Sequence, residues 1–215
     1  MKIRKELLVM ALIVVAIVGL GYLLARGQQT PVQPGKSVGN ITREDSHMTG
    51  KQGAKVTVVE FGDYQCPACG AAHPLLKQIL AAYKDNPDFN FVFMNFPLPM
   101  HPNAQVSAEA AEAAGEQGKF WQMHDKIYEN QKQWSESPNA LDIFVGYAGE
   151  LSLDTAKFKA AVEQRKFQSI IDADQSKGDE LGVNATPTFY INGDKQAGIA
   201  SFDSFKTIID GYLAK

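Results

Sequence analysis

Residues 55–70 read KVTVVEFGDYQCPACG, and they contain the only two cysteines of the 215-residue chain. The β-branched run Lys55–Phe61 is typical of a short buried strand. The loop after it is expected to turn into a helix, because proline is favoured at the first helical position, here Pro67. This places Cys66 at the helix N-cap and Cys69 at the third helical position. The stretch therefore predicts a strand, a tight loop and a helix whose first turn carries both thiols.

Three kinds of site could use this pair of thiols. A structural disulfide between Cys66 and Cys69 would close a very small loop, and such a bridge does little for stability. A closed zinc site needs four ligands, and only His73 shares the helical face of the cysteines. A fourth ligand would have to come from a histidine distant in the sequence: His47, His101 or His124. No second Cys-x-x-Cys motif exists, so no metal site is predicted.

The third kind of site is a redox-active pair. A thiolate at a helix N-cap can accept the unpaired N–H groups of the first turn, and the helix dipole also stabilises the anion. Cysteines placed in this way have pKa values of roughly 3.5–7.5. We therefore expect Cys66 to be the exposed nucleophile and Cys69 to be the resolving thiol. Stabilising the Cys66 thiolate favours the reduced pair, which makes the disulfide a stronger oxidant.

The residues after this stretch predict a small α/β sheet that carries a helical insertion. The helix after the cysteines and the alternating strand Phe89–Phe96 complete a βαβ unit. Residues from 103 to about 181 read as helices only, and the sheet pattern returns afterwards with a hairpin signal at Asn192-Gly193. The expected order is therefore βαβ, a helical insertion and ββα, with helices on both faces of the sheet. The last unit is expected to comprise Thr188–Ile191, Gln196–Ala200 and a closing helix over Ser201–Leu213.

The N-terminal residues differ in character from the rest of the chain. Leu7–Leu24 carries no charge, and as a helix it would be about 27 Å long, close to the ~30 Å hydrocarbon core of a bilayer. We expect residues 1–25 to be a cytoplasmic stub and an uncleaved transmembrane anchor, with a cleaved signal peptide as the alternative. Residues 26–52 are rich in Gln, Pro, Gly and Ser and are expected to be a flexible linker. The globular domain is then residues 53–215.

Charge indicates where the domain lies and which partners it lacks. Lys2, Arg4 and Lys5 precede the anchor, and this bias favours a cytoplasmic N-terminus. The domain is therefore expected outside the cytoplasmic membrane, on its periplasmic or extracellular face, where disulfides persist. The net charge is −3 and the sequence has no basic stripe, so no nucleic-acid partner is expected.

Four features together resemble the thioredoxin superfamily and, within it, the membrane-anchored DsbA-like thiol:disulfide oxidoreductases. The resemblance covers about residues 45–213. It is carried by the passage Val59–Cys69, by Pro74 in the helix, by Phe96–Leu98 with His101–Ala104 and Gly118–Trp121, and by Gly182–Phe189. It implies a thioredoxin fold with an inserted all-helical subdomain.

The resemblance also implies roles for particular residues. Besides the two cysteines, it assigns catalytic roles to Glu60, as a buried carboxylate that shuttles the proton of the resolving thiol, and to Pro187, as a cis-proline lying against the disulfide. The alternative without a catalytic role is that Glu60 lies on an edge strand and faces water. Substrate contacts fall to Pro67, Ala68 and Thr186. Because Ala68 replaces the histidine of the strongest oxidants in the family, the lowered pKa of the nucleophile should rest on the helix terminus alone.

The resulting functional expectation is an oxidase that donates disulfides to exported proteins. Its substrates would be reduced or unfolded exported proteins, and a quinone-linked membrane partner would reoxidise it. No cofactor is expected beyond the Cys66–Cys69 disulfide itself. Two alternatives stay open: a disulfide reductase or isomerase, and a metal-handling module that uses the same thiols.

Overall fold

The computed structural model describes residues 41–43, 45–196 and 198–215. The expected cytoplasmic stub and anchor, residues 1–25, lie outside the described residues, as does the linker up to residue 40. Among the residues that are described, no helix is both long enough and apolar enough to cross a membrane.

The described part of the chain forms one mixed sheet and eight helices. The strands are β1 His47–Met48, β2 Val56–Gly62, β3 Phe89–Asn95, β4 Thr188–Ile191 and β5 Asp194–Gln196. The helices are α1 Pro67–Tyr83, α2 Ala104–Gly115, α3 Phe120–Glu129, α4 Gln131–Trp134, α5 Ala140–Glu150, α6 Thr155–Glu163, α7 Gln168–Glu180 and α8 Phe202–Leu213. The predicted order of βαβ, helical insertion and ββα is thereby confirmed.

The central strand of the sheet is β2. The strand order is β1-β3-β2-β4-β5; β2 and β3 are parallel, and the other pairs are antiparallel. Successive side chains of a strand point to opposite faces. Val58 belongs to the large core that includes apolar residues of α1 and α8. Val59 and Phe61 belong to a second core, on the face where Gly178 of α7 lies against the Phe61 and Phe96 rings. Both faces of the sheet are thus covered by helices, as predicted.

The helical insertion has a core of its own, continuous with that of the sheet. Trp134 and Phe144 are both fully buried, with ring centroids 5.0 Å apart. The Trp134 indole donates a hydrogen bond to the Ile127 carbonyl oxygen at 2.8 Å. Because the indole N–H keeps a hydrogen-bond partner, this bond offsets the cost of burying the polar group in the core. The insertion is therefore a packed unit that can hold its surface residues in fixed positions.

The folded domain begins before residue 53, inside the segment expected to be a linker. Ile41 is 4% exposed and packs in the second core. Strand β1 pairs with β3, and His47 Nε2 and Glu112 Oε2 are hydrogen-bonded at 2.8 Å. Arg43 forms an ion pair with the buried Asp174 at 2.5 Å. The linker prediction is therefore wrong for these residues, because long-range contacts order a segment whose composition is that of a flexible chain.

The C-terminal hairpin is tighter than expected. The return strand was expected over Gln196–Ala200, but it occupies Asp194–Gln196, with Ile191 opposite Asp194. The turn consists of Asn192 and Gly193 alone, with φ values of 50° and 86°. Two residues of positive φ form the turn type whose twist matches that of antiparallel strands, so the return strand starts at once.

Candidate active site

Asp63 shapes the loop that leads from β2 to α1. Its Oδ1 accepts a hydrogen bond from the Gln65 amide at 2.8 Å. Its Oδ2 accepts one from the Leu98 amide at 3.0 Å and one from His101 Nδ1 at 2.6 Å. Asp63 therefore caps the loop and also ties it to the segment that follows β3.

Cys66 sits where this loop becomes helix. It is the N-cap of α1, with φ −65° and ψ 122°, and Pro67 follows it as the first helical residue. Both cysteines are free thiols, and Cys66 Sγ lies 3.3 Å from the carbonyl oxygen of Thr186. The Thr186–Pro187 peptide bond is cis. Cys66 is only 7% exposed, so the expectation of an exposed nucleophile is wrong for this state, because the cis-proline loop packs against the thiol.

The surroundings of Cys66 favour its thiolate. The pKa of its thiol falls from 9.0 to about 5, chiefly because the Cys69 thiol donates a hydrogen bond to it. Burial opposes this effect, whereas the backbone N–H groups of Ala68 and Cys69 reinforce it. The expectation that the helix terminus alone would lower this pKa is therefore wrong: the partner thiol is the main donor. At neutral pH Cys66 is a thiolate.

Cys69 has the opposite character. It is 1% exposed, and burial raises the pKa of its thiol well above 9.0. The hydrogen bond to Cys66 and the negative charge of Cys66 raise it further, and so does Glu60 when it is ionised. The reduced pair thus holds one proton, on Cys69, and one negative charge, on Cys66. This difference in protonation suits Cys66 to be the attacking or leaving sulfur and Cys69 to be the resolving one.

Glu60 lies on the central strand, below the thiol pair. It faces Phe93 of β3 on one side and Phe189 of β4 on the other. It is 2% exposed, and its Oε2 has no hydrogen-bond partner among the described residues. Burial raises its pKa from 4.5 to about 8. Glu60 is therefore a protonated, buried acid at neutral pH and not an edge residue that faces water.

The helical insertion holds the backbone of the cysteine loop. Gln131 Nε2 donates hydrogen bonds to the carbonyl oxygens of Tyr64 at 2.7 Å and Cys66 at 2.9 Å. A Cβ atom at Gly70 would lie 2.4 Å from Gln131 Oε1, so only glycine lets this side chain reach the loop. We refer to Gln131 as the loop clamp.

Gln65 makes a second connection between the loop and the insertion. Its Nε2 donates to the Ser135 carbonyl oxygen at 2.6 Å, and its Oε1 accepts from the Asn103 amide at 2.6 Å. Sequence reasoning missed Gln65, Asn103 and Gln131, because the contacts join residues far apart in the chain. Gly70 was the one local signal, since a glycine inside a helix indicates a close approach.

The chain is similar to known proteins over almost all of the described residues. Residues 42–211 match the family model described as Thioredoxin. The chain belongs to the thioredoxin family. The match begins before residue 53, in agreement with the position of β1 in the fold.

The thioredoxin-family relatives include disulfide-forming proteins. The chain is 33% identical over 171 residues to "Probable disulfide bond formation protein D" of Bacillus cereus, which covers 77% of this chain and 78% of that protein. The crystal structure of oxidised BdbD from Bacillus subtilis is similar with a TM-score of 0.69 at 27% identity, covering 78% of this chain and 92% of that one. The described domain is a DsbA-like thiol-disulfide oxidoreductase domain.

Another relative carries a different name. "Na(+)/H(+) antiporter NhaA 1" of Salinispora arenicola is 37% identical over 175 residues, which is 81% of this chain but 26% of that protein. The chain therefore spans about a quarter of the length of this curated relative. The name of the relative refers to that longer protein.

The thioredoxin-family site has an exposed rim around its buried thiols. Pro67 and Ala68 are exposed, Pro187 is half-buried and Thr186 is buried. The site residues named from the sequence thus come from strand β2, from the start of α1 and from the segment just before β4. The sequence placed His73 on the same helical face as the cysteines. In the structure the His73 ring lies against His124 and Asp125 of α3.

Replacing Cys69 with alanine is expected to raise the pKa of Cys66, because it removes the largest contribution to the lowered value. The pH dependence of Cys66 alkylation should then move upwards from a midpoint of about 5. Iodoacetamide labelling between about pH 3 and pH 9 measures this midpoint. Ala68→Gly is the matched control and should leave the midpoint in place, since Ala68 contributes only its backbone N–H. An unchanged midpoint in Cys69→Ala would contradict the assignment.

Proposed function

We propose that this protein is an extracytoplasmic, membrane-tethered oxidase that donates the Cys66–Cys69 disulfide to exported proteins. The observation that carries the proposal is the lowered pKa of the Cys66 thiol, about 5, to which the hydrogen bond from the Cys69 thiol contributes most. This hydrogen bond exists only in the reduced pair, so it stabilises that pair relative to the disulfide. A disulfide whose reduced form is stabilised is a strong oxidant.

The exchange begins on the oxidised pair. A substrate thiolate attacks Cys66 Sγ, a substrate–Cys66 disulfide forms, and the Cys66–Cys69 bond breaks with its electron pair on the Cys69 sulfur. The second thiolate of the substrate then attacks the substrate's own sulfur in this mixed disulfide. Cys66 leaves as a thiolate, and its low pKa makes it a good leaving group. Two electrons have passed from the substrate to the enzyme, which is now reduced.

Glu60 supplies the proton that Cys69 needs. The Cys69 sulfur leaves as an anion in a buried position where burial strongly disfavours charge. Glu60 is protonated at neutral pH, and once it has given up its proton its negative charge raises the pKa of Cys69. We assign it the donation of a proton to Cys69 during oxidation of the substrate and the removal of that proton on reoxidation. A buried acid with a pKa near the working pH suits both directions.

The cis-proline loop is assigned to the substrate. Thr186 and Pro187 lie against Cys66, beside the exposed Pro67 and Ala68. An incoming chain must displace or share this contact to reach the thiol, so the loop is placed to hold the residues flanking the substrate cysteine. The proposed substrates are reduced or unfolded exported proteins.

The proposed location and redox partner follow from the sequence. Leu7–Leu24 is apolar and long enough to anchor the domain, and a pair reduced by each turnover needs an oxidant. We propose a quinone-linked membrane protein as that oxidant. The name of the Bacillus cereus relative, a disulfide bond formation protein, supports the direction of the reaction.

The redox potential of the full chain tests the direction. Equilibration with glutathione buffers, followed by thiol alkylation, should give a potential in the range of about −120 to −180 mV. The protein should also oxidise reduced ribonuclease faster than it restores activity to scrambled ribonuclease. The Cys66→Ser/Cys69→Ser double variant sets the uncatalysed rate. A potential of about −270 mV or below would make the protein a reductase, and faster repair of scrambled ribonuclease would make it an isomerase.

A further inference from the structure

We propose that His73, Asp125 and His124 form a binding site for a divalent transition-metal ion of the zinc class. His73 lies on α1 and the other two on α3, so the site joins the helix that carries the thiols to the helical insertion. One ligand atom from each residue lies within 4.8 Å of the other two. The cysteines are not part of this set, which is therefore distinct from the thiol site considered from the sequence.

His73 is the residue whose placement calls for a ligand. It is 5% exposed, and within the described residues neither of its ring nitrogens has a hydrogen-bond partner. Its Nε2 lies 3.3 Å from Asp125 Oδ1, a close contact that lacks hydrogen-bond alignment. Leaving a buried polar group unsatisfied is unfavourable, and a bound ion is one of the features that accounts for such a group.

His124 is arranged as a ligand with one nitrogen already held. It is 1% exposed, and its Nδ1 hydrogen-bonds to the Tyr64 hydroxyl at 3.0 Å. Nε2 is the second nitrogen of this ring, and a partner on one nitrogen is the pattern that orients a metal-binding imidazole.

A zinc-sized ion would draw the three ligand atoms, now within 4.8 Å of one another, closer together. A tetrahedral ion with bonds of about 2.0–2.1 Å holds its ligand atoms about 3.3 Å apart. The His73–Asp125 pair is already at 3.3 Å. Two imidazoles and one carboxylate match the preferences of Zn²⁺, Co²⁺ and their neighbours, and three protein ligands leave a coordination position open.

Lys77 competes with the ion for Asp125. Its Nζ lies 3.2 Å from Asp125 Oδ2 and 2.6 Å from Glu129 Oε1. Because Lys77 occupies Oδ2, the other oxygen is left facing His73. The side chains of Lys77 and Asp125 are 43% and 40% exposed, which gives an ion a path from solvent. Removing the lysine charge should therefore strengthen metal binding.

The test uses the full chain with Cys66 and Cys69 oxidised to a disulfide, so that the thiols cannot bind the metal. Titration with Zn²⁺ in a calorimeter, and with Co²⁺ by visible absorption, should show one site per chain. His73→Gln, His124→Gln and Asp125→Asn should each weaken Zn²⁺ binding by about tenfold or more. Lys77→Gln should tighten it. The remaining histidines provide matched controls, since His47→Gln and His101→Gln should bind as the parent does.

The outcomes are separable from those for the oxidase, because binding is measured without turnover. Circular dichroism establishes that each variant is folded. If a buried histidine variant fails to fold, Asp125→Asn and Lys77→Gln decide the matter, because both side chains are partly exposed. The proposal is overturned if the parent binds no Zn²⁺ up to about 1 mM, a concentration already corresponding to very weak binding. It is equally overturned if the His73, His124 and Asp125 variants bind Zn²⁺ like the parent.

Discussion

Replacing Cys66 with serine is expected to lower the rate of disulfide transfer by more than about a thousandfold, down to the uncatalysed rate. Cys66 is the sulfur that the substrate attacks and that later leaves as a thiolate, and its pKa of about 5 keeps it ionised at neutral pH. A serine hydroxyl is not ionised near that pH and cannot form a disulfide. Oxidation of reduced ribonuclease by the full chain measures the loss.

Cys69→Ser is the informative companion to this variant. It cannot form the Cys66–Cys69 disulfide, so it should not oxidise reduced ribonuclease. Its Cys66 thiolate can still attack a disulfide of an already oxidised substrate, and without Cys69 to displace the substrate from Cys66 this mixed disulfide should accumulate. Mass spectrometry of the trapped species would also identify the substrates. Transfer by Cys66→Ser at more than a tenth of the parental rate would refute the proposed role of Cys66.

Glu60→Gln is expected to stabilise the protein at neutral pH by about 3 kcal/mol, while slowing the exchange. The pKa of Glu60 is about 8 in the folded protein against 4.5 for the free group, because burial disfavours the carboxylate. Between these values the folded chain keeps a proton that the unfolded chain has lost. The free energy of unfolding therefore falls as pH rises from 4.5 to 8, by about 1.4 kcal/mol per pH unit, and levels off above 8.

Urea unfolding of the oxidised parent and variant between about pH 4 and pH 9 measures this difference. The stability gain of Glu60→Gln should be near zero at the acid end and grow up to pH 8. The buried amide offsets part of the gain if it finds no partner. Glu163→Gln is the matched control: its carboxylate is 54% exposed, and its removal should change stability by less than about 0.5 kcal/mol at any pH. Equal pH slopes in parent and Glu60→Gln would refute the assignment.

Local signals were sufficient for the framework of the domain. The β-branched run before Cys66, the proline after it and the Asn192-Gly193 turn each act within a few residues, so β2, α1 and the turn of the final hairpin could be placed from the sequence, although the return strand β5 begins two residues earlier than expected. Strand β1 could not, because two residues carry no periodic pattern, and His47–Met48 is a strand only through its pairing with β3. The same long-range pairing draws part of the expected linker into the fold.

The candidate site was likewise only partly predictable from local sequence. The thiols, Glu60 and the Thr186–Pro187 pair could be recognised from their order along the chain. The hydrogen bond from Cys69 that dominates the pKa of Cys66 depends on the relative position of the two side chains, which a spacing of three residues does not determine. The approach of His73 to His124 depends in turn on how α1 packs against α3. Neither effect has a local sequence signal.

The loop clamp has a consequence for how this domain can be divided. Gln131 lies in the insertion, yet it satisfies the carbonyl oxygens of Tyr64 and Cys66 in the sheet unit. A minimal domain made by joining β3 directly to β4 would lose this donor: the Tyr64 carbonyl oxygen would lose its bond to Gln131, and the Cys66 carbonyl oxygen would keep only the Gly70 amide, at 3.1 Å. The sheet unit and the helical insertion would therefore have to be redesigned together.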